Sequence, residues 1–214
     1  MRIRRSRVFC PTSLSKRSVA PLHGRELLFR TQREARQHSH ARAWLWVGCE
    51  SLDGCQSEAL RLCRCLLQHW DVTAELAQAS MTNLPYGDCR FDAVLDVFSS
   101  YCLPEIPFQD CLGEIGRVLR PGGKFFSFTP SKRSLAFQDP HPAVRIDGST
   151  LDGIRREISP YFGNIYPFRF ISEEEYAGAL EERDFRILSC ERIGRTYRRG
   201  AEYFEFVSLA AEKV

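Results

Sequence analysis

No stretch of the 214-residue chain is apolar and uncharged for long enough to cross a bilayer, so a membrane-spanning helix is excluded within it. Cys-x-x-Cys pairs are absent, and no Cys/His cluster has the spacing of a zinc site, so no metal centre is expected. The nine cysteines are an odd number, and several sit inside apolar runs, where free Cys acts as a small hydrophobe. That pattern fits a reducing, cytoplasmic setting better than an oxidising one. A Gly-x-Gly-x-x-Gly loop is missing, which argues against a dehydrogenase. There is no internal repeat, and no nucleophile motif appears.

Acidic residues are missing altogether from residues 1–22, which are rich in Arg and Ser. This is the composition of an organellar transit peptide or of a disordered basic tail, and the tail is the simpler reading. Residues 1–43 hold eleven Lys/Arg and two Glu, whereas the rest holds 19 basic and 25 acidic residues, within an overall charge of +3. The body is therefore mildly acidic, which disfavours nucleic acid as a partner, because a phosphate-binding face should be basic. We expect residues 1–42 to be a poorly ordered basic leader and residues 43–214 to be one α/β domain.

What the chain does have is concentrated between Ala74 and Phe128. Asp92 to Phe98 is short, apolar and β-prone, as suits a buried strand. Beyond Pro104 and Pro107, the residues Phe108, Cys111, Leu112, Ile115, Val118 and Leu119 recur at helical spacing, with Asp110, Glu114, Arg117 and Arg120 on the other face. Pro121 cannot extend that helix, Gly122-Gly123 lets the chain reverse, and Lys124 to Phe128 reads as a second buried strand. Strand, helix, glycine stop and strand make a right-handed βαβ unit with parallel strands.

These residues carry a resemblance. The runs Leu84-Pro85-Tyr86-Gly87-Asp88 to Ser100 and Glu114-Ile115-Gly116-Arg117-Val118-Leu119-Arg120-Pro121-Gly122-Gly123 resemble the class I S-adenosylmethionine-dependent methyltransferases. The similarity is greatest to the small-molecule branch, with its LPF-x-D-x-x-FD-x-V and E-x-x-RVLRPGG signatures, and it covers about residues 72–214. It implies a doubly wound, mostly parallel Rossmann-like α/β sheet closed by a C-terminal antiparallel hairpin. It also implies S-adenosylmethionine as cofactor and a small-molecule methyl acceptor. The cofactor positions carried over are Gly48 and Cys49 in the loop after a strand at Ala43–Cys49, Ser80 and Met81 against the adenine, and Val97 and Phe98 at a strand tip. From the residues alone, Met81 and Phe98 read equally as core and Ser80 as a strand-end hydroxyl, whereas Asp92 reads as structural.

Against the family pattern, Trp46 stands where an acid is usual, and Glu50 stands where the second loop glycine belongs. Glu50 brings bulk and negative charge towards a carboxylate-bearing ligand. Gln56 to Trp70 reads as a helix through Leu60, Cys63, Leu66 and Leu67, and Thr73 to Ala79 as the family's third strand. The family places a strand and a helix between them, so either that unit is missing or this region is organised differently. Asp71 lies where an acid for the ribose belongs, but it is too close to Ser80 to leave room for that unit. The N-terminal portion is thus degenerate or incomplete, through divergence or through a shifted frame, alternative exon or misassigned start.

After the second strand, an aromatic- and proline-rich insertion at about residues 131–171 suits a lid at the carboxyl edge of the sheet, with a helical piece at Leu151 to Ile158. Ser172 and Glu175 form a capping box. Phe185 to Ile193 reads as a strand, Gly194 to Gly200 as a basic turn and Glu202 to Ala211 as the last strand. Methyl transfer from a sulfonium needs orientation and a dry site more than an acid/base pair. No catalytic residue is therefore assigned, with His141 and Tyr101 as the groups near the cleft. The reading from a different class is a catalytically impaired or partial relic acting as a binding module.

Overall fold

A computed structural model describes residues 55–71, 74 and 76–214. The leader, the strand expected at Ala43–Cys49, and the loop residues Gly48, Cys49 and Glu50 lie outside the described residues.

Helix α1 (Cys55–His69) buries Leu60 and Leu67, while Leu62, Leu66 and Trp70 stay exposed. Asp71 follows it with φ +52, the left-handed residue that often ends a helix. Of the stretch expected as a third strand, Ala74 and Leu76–Ala79 carry no strand pairing. Ser80 instead starts a local turn. Its hydroxyl accepts the Thr82 N–H at 3.1 Å, and its carbonyl accepts the Asn83 N–H at 3.2 Å. Such short-range bonds offer the backbone an alternative to a ladder.

Strand β1 (Phe91–Val97) leads to a single 3-10 turn (Ser100–Cys102) and then helix α2 (Glu105–Val118). The helix buries Phe108, Cys111, Leu112, Ile115 and Val118, the stripe its spacing predicts. It ends three residues before Pro121, because Arg120 precedes a proline and is biased away from helix. Strand β2 (Leu119–Pro130) pairs parallel to β1, with Val97 opposite Phe128. The register jumps between Phe91 and Ala93, where Gly122 turns at φ +75. A Cβ on Gly123 would lie 2.8 Å from the Arg120 carbonyl oxygen and 3.0 Å from Leu119, so that position accepts only hydrogen.

Helix α4 (Glu173–Glu181) opens with the expected capping box, in which Ser172 and Glu175 exchange bonds of 3.1 and 3.2 Å. Strands β5 (Phe185–Tyr197) and β6 (Glu202–Lys213) form the antiparallel hairpin. The turn is shorter than expected, Arg198–Gly200, and Gly194 sits inside β5. A Cβ on Gly194 would collide with the Tyr203 hydroxyl, so the tyrosine ring crosses the bare strand there.

The sheet order is β1-β2-β6-β5, a mixed α/β sheet with one parallel and two antiparallel pairs among the described residues. Its main core gathers Leu112, Val118, Phe125, Tyr176, Val207 and Leu209, each at most 1% exposed. Each large side chain so removed from water contributes roughly 1.5–3 kcal/mol.

The insertion contains a four-residue helix, α3 (Leu135–Gln138), and the short antiparallel pair β3 (Thr150–Leu151) and β4 (Phe168–Arg169). The helix expected at Leu151–Ile158 does not form. Leu151 pairs in β3, and Ile154 bridges to Asn164, with Gly153 at φ +147 pressed against the Asn164 carbonyl. Both ends of the insertion are clasped, since Ile171 N–H donates to Pro130 O at 3.0 Å and Lys132 N–H to Ile171 O at 3.2 Å.

Candidate functional site at the tips of the parallel strands

In open α/β sheets, ligands bind beyond the carboxyl ends of the strands. The tip of β1 is built by an unusual turn. Val97 is 48% exposed, and Phe98 donates its N–H to the Phe128 carbonyl at 2.8 Å, extending the ladder by one bond. The chain then bends at Phe98 with φ +56, a left-handed conformation uncommon for a bulky residue. Ser99 follows, half-exposed.

Asp96 stabilises this turn from beneath. Its carboxylate is buried, and it accepts N–H bonds from Ser99 (3.2 Å) and Ser100 (3.0 Å) and O–H bonds from Ser100 (2.5 Å) and Ser127 (3.2 Å). The phenol of Tyr176 lies near by, and burial, together with the Asp96 charge, pushes it well above the ordinary tyrosine range. Sequence reasoning missed Asp96. The signal was a lone carboxylate near the end of an apolar strand, followed by two serines.

Beside the turn stands an aromatic cluster drawn from several elements. Phe98 stacks on Tyr101 at 4.2 Å between centroids and meets Tyr161 at 5.2 Å and Phe206 at 5.7 Å, while Tyr101 meets Phe168 at 4.8 Å. These rings join Phe137, Leu151, Ile154, Phe170 and Phe204 in a second hydrophobic cluster that fixes the insertion onto the sheet. Burial raises the Tyr161 phenol, and the Tyr197 and Tyr101 phenols near it add to the effect. His141 is exposed.

The site residues read from the sequence are thus distributed. Val97 and Phe98 form the lip of the β1 tip. Met81 is 3% exposed and packs in the main core, whereas Phe98 belongs to the second cluster. Ser80 is half-buried, with its oxygen 2.7 Å from the Thr82 hydroxyl. Gly48 and Cys49 are outside the described residues.

The opposite, amino end of β1 is held by ion pairs. Glu114 accepts the Leu84 N–H at 2.6 Å. Arg117 donates to the carbonyls of Tyr86 (2.7 Å) and Leu84 (3.1 Å) and to Asp88 (2.8 Å). The hydrogen bond from Arg117 keeps the Glu114 carboxyl below the usual range. Asp92 pairs with Arg120 at 2.5 Å at the same end, in keeping with a structural role. Two surface grooves, of about 660 Å³ beside the β5–β6 hairpin and about 350 Å³ between α2 and α4, are lined by none of Val97, Phe98 or Ser99.

Residues 48–127 match the family described as "Methyltransferase domain". The fold is that of solved methyltransferases. A S-adenosylmethionine-dependent methyltransferase of Methanosarcina mazei superposes with a TM-score of 0.58 at 18% identity, covering 74% of this chain and 78% of that one. The 1,6-didemethyltoxoflavin-N1-methyltransferase of Burkholderia thailandensis, solved with 1,6-didemethyltoxoflavin and S-adenosylhomocysteine, gives 0.50 at 16% identity, covering 84% and 74%. Residues 48–127 are thus similar to a methyltransferase domain, and the chain shares the fold of solved methyltransferases.

Particular relatives are similar over shorter stretches. The fatty-acid O-methyltransferase of Mycolicibacterium smegmatis is 40% identical over 76 residues, 36% of this chain and 26% of the relative. The phthiotriol/phenolphthiotriol dimycocerosates methyltransferase of Mycobacterium tuberculosis is 41% identical over 61 residues, 28% and 22% of the two chains. The matched stretch thus spans about a quarter of the length of these curated relatives. Among the described residues, no helix is long and apolar enough to cross a membrane.

Proposed function

We propose that the chain is an S-adenosylmethionine-dependent methyltransferase acting on a small-molecule acceptor. The observation that carries this reading is the methyltransferase-domain match over residues 48–127, a stretch that contains β1, α2 and most of β2, together with the lip at Val97–Ser99, where Val97 is exposed and Phe98 and Ser99 are half-buried. The lip fits the cofactor's chemistry, since a flat base suits the apolar Val97 and Phe98, and the Ser99 hydroxyl adds a polar contact. Gly48 and Cys49 would approach the cofactor from the preceding loop, and Ser80 and Met81 would border the adenine.

The bound cofactor supplies an activated methyl group on sulfur. The protein's own part is orientation and exclusion of water. The left-handed turn fixes the lip, and the clasped insertion packs Tyr161 against Phe98 and Phe168 against Tyr101 beside it. In this reading residues 131–171 act as the lid that selects the acceptor. Fatty acids and dimycocerosates appear in the names of the relatives, and an apolar acceptor agrees with so aromatic a cover.

A second reading, a catalytically impaired methyltransferase-like binding module, is favoured by Glu50 in the loop and by the burial of Met81. Calorimetric titration of the whole chain with S-adenosylmethionine, paired with a thermal-shift assay, separates the two. Saturable heat with a raised melting midpoint supports the enzyme. Flat traces in both assays leave the second reading.

A further inference from the structure

We propose that Asp96 is a positioning residue for cofactor binding, acting through Phe98 and Ser99; the inference rests on the methyltransferase reading above. Asp96 is 6% exposed, so it does not touch a ligand itself. Of the four donors it accepts, three belong to Ser99 and Ser100, the two residues that follow Phe98. The fourth is the hydroxyl of Ser127, its register partner on β2. The carboxylate therefore ties the turn to the sheet across the parallel pair.

Phe98 lies between this anchor and the amides it holds. It is a bulky residue at φ +56, where glycine would be unstrained. Such a conformation persists only where its surroundings over-determine it, and it tends to mark a working position. Here the surroundings are the Asp96 carboxylate on one side and the Tyr101 ring, 4.2 Å away, on the other. The outcome is that Val97 and Ser99 face outwards together at the strand tip.

An asparagine can keep its one oxygen on the two amides and donate its NH₂ group to the two serine hydroxyls, which accept as well as donate, whereas Asp96→Ala removes all four bonds. The amides of Ser99 and Ser100 would lose their hold, and the lip would relax towards the common right-handed or extended conformations.

The test is S-adenosylhomocysteine affinity by calorimetry on the full chain, with the melting midpoint recorded for each variant. Asp96→Ala is expected to weaken binding about tenfold, the shift that releasing one strained residue would produce. Ser100→Ala removes one bond to the clamp and is expected to weaken binding about threefold. It keeps the inference testable if Asp96→Ala does not fold. In a Phe98→Gly background, where the left-handed turn carries no strain, Asp96→Ala should cost less than about threefold. Additive losses, or unchanged affinity in both clamp variants while wild type binds, would overturn the positioning role alone. A wild-type chain that takes up no S-adenosylhomocysteine would overturn the methyltransferase reading, and this role with it.

Discussion

Arg117 donates to the carbonyl oxygen of Tyr86 at 2.7 Å, joining two motifs that lie 31 positions apart. Leu84-Pro85-Tyr86-Gly87-Asp88 and the Glu114–Arg117 helix turn are one assembly, in which a guanidinium spans two carbonyls and two carboxylates. It sits at the amino end of β1, opposite the candidate site. The residues that make the resemblance most visible thus hold the sheet together rather than touch a ligand. Arg117→Leu is expected to lower the urea midpoint, since Leu84 and Tyr86 lose their partner and Glu114 its counter-charge. An unchanged midpoint would show that the assembly is incidental.

Acid sensitivity follows from the same group. The folded Glu114 carboxyl lies below its ordinary value, so its contribution is present above about pH 4.3 and is lost as the pH falls through the folded value. Melting midpoints taken from about pH 6 down to about pH 3 should fall more steeply for wild type than for Glu114→Gln. Parallel curves would remove Glu114 from the account. The carboxylate is partly solvated, so the effect at neutral pH should be modest, about 1 kcal/mol.

Gly123→Ala should destabilise by about 1–3 kcal/mol, because the added methyl meets the Arg120 carbonyl at 2.8 Å and the Asp92 carbonyl at 3.3 Å, both rigid backbone. Chemical denaturation reads this directly. A neutral result would mean that the β1–β2 junction shifts without cost.

The insertion is tied to the hairpin by a buried ion pair. Arg156 donates to Glu202 at 2.7 Å, and Glu202 is fully buried with its second oxygen unpartnered. Arg156→Ala should cost about 3 kcal/mol, since it strands a buried charge, and adding Glu202→Gln should recover much of that. If the double variant is no more stable than the single one, the loss comes from packing and not from the charge.

Much of the fold was legible because its signals were periodic. The stripe from Phe108 to Val118 allowed one helix, and Ser172 with Glu175 allowed one start for the next. Failures came where one spacing fits two structures. Leu151 and Ile154, three apart, suit a helix face, yet they are buried by strand and bridge pairing around Gly153. Gly194 read as a turn because its space is filled by Tyr203, from across the hairpin. Asp96 escaped because a carboxylate in an apolar strand declares itself only when its four donors are seen, and these come from the following turn and a neighbouring strand. Ser80 and Met81 were placed by resemblance, and a local turn and the core decide where their side chains go.

The central claim is that a cofactor lies against the tip of β1. Hydrogen–deuterium exchange on the whole chain, with and without S-adenosylmethionine, reads that location directly. Slowed exchange is expected at the amides of residues 97–101 on adding the cofactor, with the amino-end loop at residues 84–90 unaffected. Exchange at residues 97–101 that stays the same under saturating cofactor would contradict it.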